Sequence, residues 1–165
     1  MLLTFKKYHI LYLYYKQFNG EVMNFSTKTR YGLRILIQLA ECYGENVAVK
    51  GKDIAAEQNF TEAYLEQIMI KLKEAGFVRT ERGCNGGYIL AKSPDKITIL
   101  DVIELFEGRL DLVRCKDEKK ICPRILQCKT TRVWKKLSDI FRGETAKLTL
   151  TKILEMNKQE LEYMI

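Results

Sequence analysis

The sequence predicts a mainly α-helical chain with one small β-hairpin, and three observations carry that prediction. Apolar residues recur at helical spacing in consecutive segments between Ser26 and Gly76. Two short extended runs then flank a glycine-rich tip, Arg82-Gly83-Cys84-Asn85-Gly86-Gly87. After Cys128 a longer apolar stripe returns at helical period. Composition agrees: of 165 residues 47% are apolar and 30% charged, with two prolines, which excludes disorder as an overall description.

In chain order, Ser26 or Thr27 caps a first helix whose apolar positions are Tyr31, Ile35, Leu39 and Tyr43, and Gly44 stops it. Lys52 to Gln58 reads as a short second helix. Thr61 starts a third, with Tyr64, Leu65, Ile68, Met69 and Leu72 on one face as far as Gly76. Two helices across a tight break make a helix-turn-helix. The runs Phe77 to Thr80 and Tyr88 to Ala91 add a hairpin, which completes the order of a winged helix-turn-helix. Thr98 and Asp101 have the spacing of a capping box, ahead of a helix through Phe106 that Gly108 ends. Val133, Trp134, Leu137, Ile140 and Phe141 mark a long helix down to Gly143, and Leu148, Leu150, Ile153 and Leu154 a last short one.

Charge is unevenly spread. The 28 Lys and Arg against 21 Asp and Glu give +7, which points to an anionic partner. Residues 114–136 alone hold nine basic side chains against Asp117 and Glu118, and they hold three of the five cysteines. Residues 23–91 sum to only +1, so any polyanion contact there depends on how the side chains converge. The one histidine, His9, leaves little room for histidine-based catalysis or zinc ligation, and no Gly-rich phosphate loop precedes a helix. An enzyme is not expected. Residues 1–22 are apolar and tyrosine-rich, but Lys16 interrupts the run, no small-residue cleavage site follows, and the stretch is too polar to span a bilayer. We read them as an extension ahead of a start at Met23.

Several runs taken together carry a resemblance. Tyr64-Leu65-Glu66-Gln67, Leu72-Lys73-Glu74-Ala75-Gly76-Phe77-Val78, Arg82-Gly83 and Gly86-Gly87-Tyr88 closely resemble the IscR/NsrR-type family of bacterial transcription regulators. Lys28-Thr29-Arg30-Tyr31 looks like that family's first helix, and Ile97-Thr98, Asp101-Val102-Ile103 and Glu107-Gly108 look like its segment after the wing. The likeness runs from about Met23 to Asn157. It implies a cytoplasmic, homodimeric regulator, without membrane or small-molecule substrate, that binds a pseudo-palindromic site on double-stranded DNA. It also implies three parts: the extension 1–22, a winged helix-turn-helix 23–97, and 98–165 with a cysteine loop and dimerisation helices, the long helix crossing its symmetry mate.

On this reading the third helix enters a major groove N-terminus first, so that Thr61, Glu62, Tyr64, Glu66 and Gln67 reach phosphates or base edges. Gln67 suits adenine, and Glu66 suits a cytosine amine. Lys28 and Arg30 approach the backbone, while Arg82 with Gly83, Gly86 and Gly87 brings a thin wing tip to a minor groove. Plainer readings stand beside these: Tyr64 as core, Glu66 as partner of Lys71 or Lys73, and the glycines as an ordinary hairpin tip.

Cys115, Cys122 and Cys128 are spaced for metal binding or redox sensing, and the surrounding cations would lower thiol pKa values. The resemblance implies that they hold an iron-sulfur cluster, 2Fe-2S or 4Fe-4S. The family's fourth ligand does not carry over. A histidine three residues after the last cysteine is here Thr131, and an aspartate early in the first helix is here Arg30. Thr131, Glu104, Asp111, a small thiol or solvent stay open for that place, as does a cluster-free thiol switch. Cys42 reads as a small core residue and Cys84 as an exposed residue of the wing tip.

Overall fold

The computed structural model describes residues 25–44, 47–83, 86–113, 115 and 122–163. The extension 1–22 and Cys84 lie outside the described residues.

Helix α1 (Thr27–Glu41) begins where the Ser26 hydroxyl accepts the Thr29 N–H at 3.3 Å. Its core face is Thr29, Gly32, Ile35, Leu36, Leu39 and Ala40. The helix ends at Glu41, so Tyr43 lies beyond it and is half exposed, whereas the periodicity places that residue on the helix. Helix α2 (Gly51–Gln58) closes on Asn59, which takes the left-handed conformation at φ 56° and turns the chain sharply into α3 (Glu62–Glu74). The Thr61 hydroxyl caps α3 by accepting the Tyr64 N–H, and Leu65, Ile68, Met69 and Leu72 face inward. Gly76, at φ 67°, reverses the chain after α3.

Strands β1 (Val78–Glu81) and β2 (Gly87–Leu90) pair antiparallel, Val78 opposite Leu90 and Glu81 opposite Gly87. Val49 adds a bridge on the other edge of β2, exchanging both backbone hydrogen bonds with Tyr88 at 3.0 and 2.8 Å. After a 3₁₀ turn (Pro94–Lys96), α4 (Ile99–Glu107) starts with the full capping box: Asp101 N–H to the Thr98 hydroxyl, and Thr98 N–H to the Asp101 carboxylate. Gly108, at φ 80°, ends it.

Helix α5 (Thr131–Lys147) runs through Gly143 instead of stopping there. Glycine in a helix interior costs only about 1 kcal/mol, and the Thr145 hydroxyl on the next turn bonds back to the carbonyls of Phe141 and Arg142. Helix α6 (Leu150–Tyr163) is fourteen residues long, longer than the short helix expected. Its start is stitched to the start of α4 by Leu150 N–H to Ile97 O and Ile99 N–H to Leu148 O. One core of Ile35, Leu36, Ile54, Leu65, Ile68, Met69, Leu72, Ile97, Val102 and Leu150 joins α1 to α4 and α6. Helix α5 adds only Ser138 and Thr145 to the buried set.

Candidate nucleic-acid interface and cysteine segment

The exposed side of α3 carries Glu62, Glu66 and Gln67, with Thr61 exposed at its cap. Tyr64 is only partly exposed. Its ring meets Tyr31 of α1 and Phe60 edge-on, at centroid distances of 5.9 and 5.6 Å, and Tyr31 meets Phe60 at 5.0 Å. Tyr64 is therefore packed against the core, in line with its plainer reading. The same aromatic trio draws the first turn of α1 beside the first turn of α3. Lys28 and Arg30 are both exposed there, Arg30 donating to the Thr27 hydroxyl at 3.3 Å.

Glu66 accepts a hydrogen bond from the Tyr88 hydroxyl, joining α3 to the hairpin. Burial, then the bond to Glu66 and its charge, push the Tyr88 hydroxyl up to about 12, so it stays protonated and donates. Lys71, the alternative partner weighed for Glu66, instead pairs with Glu74 at 3.0 Å. Sequence reasoning missed Tyr88 as the hairpin's anchor, since its place in an extended run shows only that it alternates inward.

Arg82 is exposed just after β1, and Gly83 has φ 117°, which a side chain would strain. Gly86 and Gly87 have a local reason to lack a side chain. A Cβ on Gly87 would collide with the carbonyl of Val49, and one on Gly86 with backbone of Glu81 and Gly83. They let residue 49 and the hairpin turn pack closely on β2.

Cys115, Cys122 and Cys128 are each partly exposed, and the Cys122 N–H donates to the Cys115 carbonyl at 3.0 Å. Cys128 Sγ lies 3.2 Å from the Thr130 hydroxyl. Hydrogen bonds from the hydroxyls of Thr130 and Thr131 and from their N–H groups bring its thiol down to about 7, against a small opposing effect of burial. Three thiols suit an iron-sulfur centre as a donor set. Among the described residues, however, no three His, Cys, Asp or Glu side chains are drawn together as a metal-holding group. Of the open fourth ligands, Glu104 is taken by Arg142 and the Leu110 N–H, and Asp111 by Arg109 at 3.0 Å. The Thr131 hydroxyl also lies 3.4 Å from the Ile125 carbonyl.

Cys42 is half-buried, short of the core position expected. It lines a cavity of about 320 Å³ with Leu39, Tyr43, Val47, Arg79 and Ile89. Among the described residues no helix is long and apolar enough to cross a membrane.

A helix-turn-helix with an exposed second helix, flanked by a hairpin and by a cationic helix start, defines a winged-helix regulator that binds DNA. The chain belongs to the Rrf2 family: the model of that family, described as an iron-dependent transcriptional regulator, matches residues 25–156. The resemblance drawn from the motifs therefore holds. Over 104 residues the chain is 42% identical to the transcriptional regulator CymR of Bacillus subtilis, spanning 63% of this chain and 75% of that protein. Among solved structures it is similar to T. potens IscR, with a TM-score of 0.66, 32% identity, and 86% and 91% of the two chains covered. The oxidised form of Staphylococcus aureus CymR matches with a TM-score of 0.59 and 32% identity over 77% of this chain and 92% of that one.

Proposed function

We propose that the chain is a homodimeric regulator that reads a pseudo-palindromic operator and that Cys115, Cys122 and Cys128 are its sensor, holding an iron-sulfur cluster. The observation that carries the DNA half is the exposed edge of α3, Glu62, Glu66 and Gln67, set beside Lys28 and Arg30 by the Tyr31–Phe60–Tyr64 contacts. Gln67 reads a base edge, Glu66 ties the helix to the wing as well as facing the groove, and Lys28, Arg30 and Arg82 meet phosphate or the minor groove. Thr61 sets the angle of α3 through its cap. Two copies place two such helices on half-sites one turn apart.

Three thiols in one short segment and the iron dependence of the family's description support the cluster. Such a cluster would supply redox chemistry responsive to oxidants. A cluster-free thiol switch is the second reading. The acidified Cys128 thiol and the likeness to a regulator solved in an oxidised form favour it.

The DNA half is tested by selecting duplexes from random sequence with the full-length protein, then measuring binding by Gln67→Ala and Lys28→Ala. Gln67→Ala is expected to relax base preference at one position of each half-site by about 1–3 kcal/mol. Lys28→Ala is expected to weaken all sequences alike and to flatten the salt dependence. Unchanged preference in Gln67→Ala removes its readout role, and the absence of any enriched sequence removes the operator reading.

A further inference from the structure

Helix α4 joins two regions with separate roles, the start of α1 and the segment that leads into the cysteines. At its C-terminal end, Glu107 Oε1 accepts from the Ser26 N–H at 2.7 Å and from the Thr29 hydroxyl. Ser26 and Thr29 are the cap and first turn of α1, the turn that carries Lys28 and Arg30. One helical turn earlier, Glu104 Oε1 accepts the Leu110 N–H at 3.1 Å and pairs with Arg142 of α5, which is three-quarters buried. Two residues on, the Leu112 N–H donates to Ser138 Oγ of α5 at 3.0 Å. The chain running into Cys115 is thus held by α4 and α5 through backbone groups.

Helices α4 and α1 approach closely at Gly32. A Cβ on Gly32 would lie 2.5 Å from Phe106 Cε2, so only the missing side chain lets α1 pack so closely against that ring. A shift of α4 is therefore passed to α1 as a movement of the whole element, since packed helices slide as units instead of deforming smoothly. Partial burial pushes the Glu107 carboxyl up, but hydrogen bonds from Thr29 and Ser26 outweigh it and hold it below the usual carboxylate range. At neutral pH it is an ionised acceptor for two donors of α1.

From this juxtaposition we propose that Glu104 and Glu107 are positioning residues, which relay the state of the cysteine segment through α4 to the DNA-reading start of α1. The proposal rests on the reading of Cys115, Cys122 and Cys128 as the sensor. When the segment before Cys115 moves, the Leu110 N–H leaves Glu104 and the Arg142 pairing readjusts. Helix α4 follows, and Glu107 carries the end of α1 with it, changing the reach of Lys28 and Arg30 to phosphate. Neither carboxylate needs to touch DNA or a cluster.

The test uses the full-length protein in a Cys42→Ser/Cys84→Ser background and a duplex selected by the wild-type chain. Affinity is measured before and after brief exposure to hydrogen peroxide. The parent is expected to change affinity about tenfold, within the usual span of allosteric coupling. Glu104→Ala is expected to bind alike in both states, within about twofold of one another on that scale. Glu104→Gln, whose amide oxygen still accepts the Leu110 N–H, is expected to restore part of the response, which a merely structural role would not require. If Glu104→Ala does not fold, Arg142→Gln breaks the same link from α5 and is expected to blunt the response. A responsive parent with an equally responsive Glu104→Ala or, in its place, Arg142→Gln overturns the relay alone. A parent that does not respond overturns the sensor reading and the relay with it.

Discussion

At Cys128, two threonine hydroxyls and their N–H groups converge on the sulfur and bring its thiol down to about 7. The folded state favours the thiolate, so this sulfur is mainly ionised above pH 7 and mainly a thiol below it. In metal-free, reduced protein, alkylation of Cys128 by iodoacetamide, followed by mass spectrometry, is expected to reach half its limiting rate near pH 7. Thr130→Val, which removes the leading hydrogen bond, is expected to move that midpoint toward the ordinary thiol value of about 8.5. A midpoint unchanged by Thr130→Val would remove the hydroxyl as the cause. The cations in the sequence around Cys128 suggested a lowered pKa, but the threonines that act on it were visible only as a possible ligand, Thr131, and as an unremarked neighbour, Thr130.

At the scale of the element, α5 is the conspicuous case. Seventeen residues make it about 26 Å long at 1.5 Å per residue. Yet Val133, Trp134, Leu137 and Ile140 are each more than a third exposed on it. A stripe of this size left open is the mark of an interface, and the proposed reading of a two-fold operator makes a second copy of the same helix its expected partner. Leu137→Glu with Ile140→Glu is expected to give a monomer by analytical ultracentrifugation and to lower operator affinity by about 10²-fold or more, the gain that linking two modules provides. A dimer that persists in this variant would place the interface elsewhere. The helices themselves were legible in the sequence because caps and periodicity act locally: Ser26, Thr61 and the Thr98–Asp101 box all start helices as read. What was not legible depends on distant contacts. The bridge from Val49 to Tyr88 explains Gly87, the bond from Tyr88 to Glu66 anchors the wing, and Glu107 holds the start of α1, and each joins residues at least 22 positions apart. Gly143 misled for the converse reason, since on an open helix face a glycine costs too little to stop the helix.

For the whole molecule, the winged helix and the cysteine segment meet through α4, whose capping box, tight seat against Gly32 and two carboxylates give it contacts with both. On the relay proposed above, events near Cys115 alter the reach of Lys28 and Arg30 to DNA. Whether the sensor carries iron decides between the two readings of the cysteines. The most direct measurement is an absorption spectrum, with iron and acid-labile sulfide assays, on protein purified without oxygen beside a Cys115→Ala/Cys122→Ala/Cys128→Ala variant. The cluster account predicts a visible band with iron and sulfide in proportion, lost in the variant. Colourless, iron-free protein that binds its selected duplex and resists reconstitution would contradict it and leave the thiol switch.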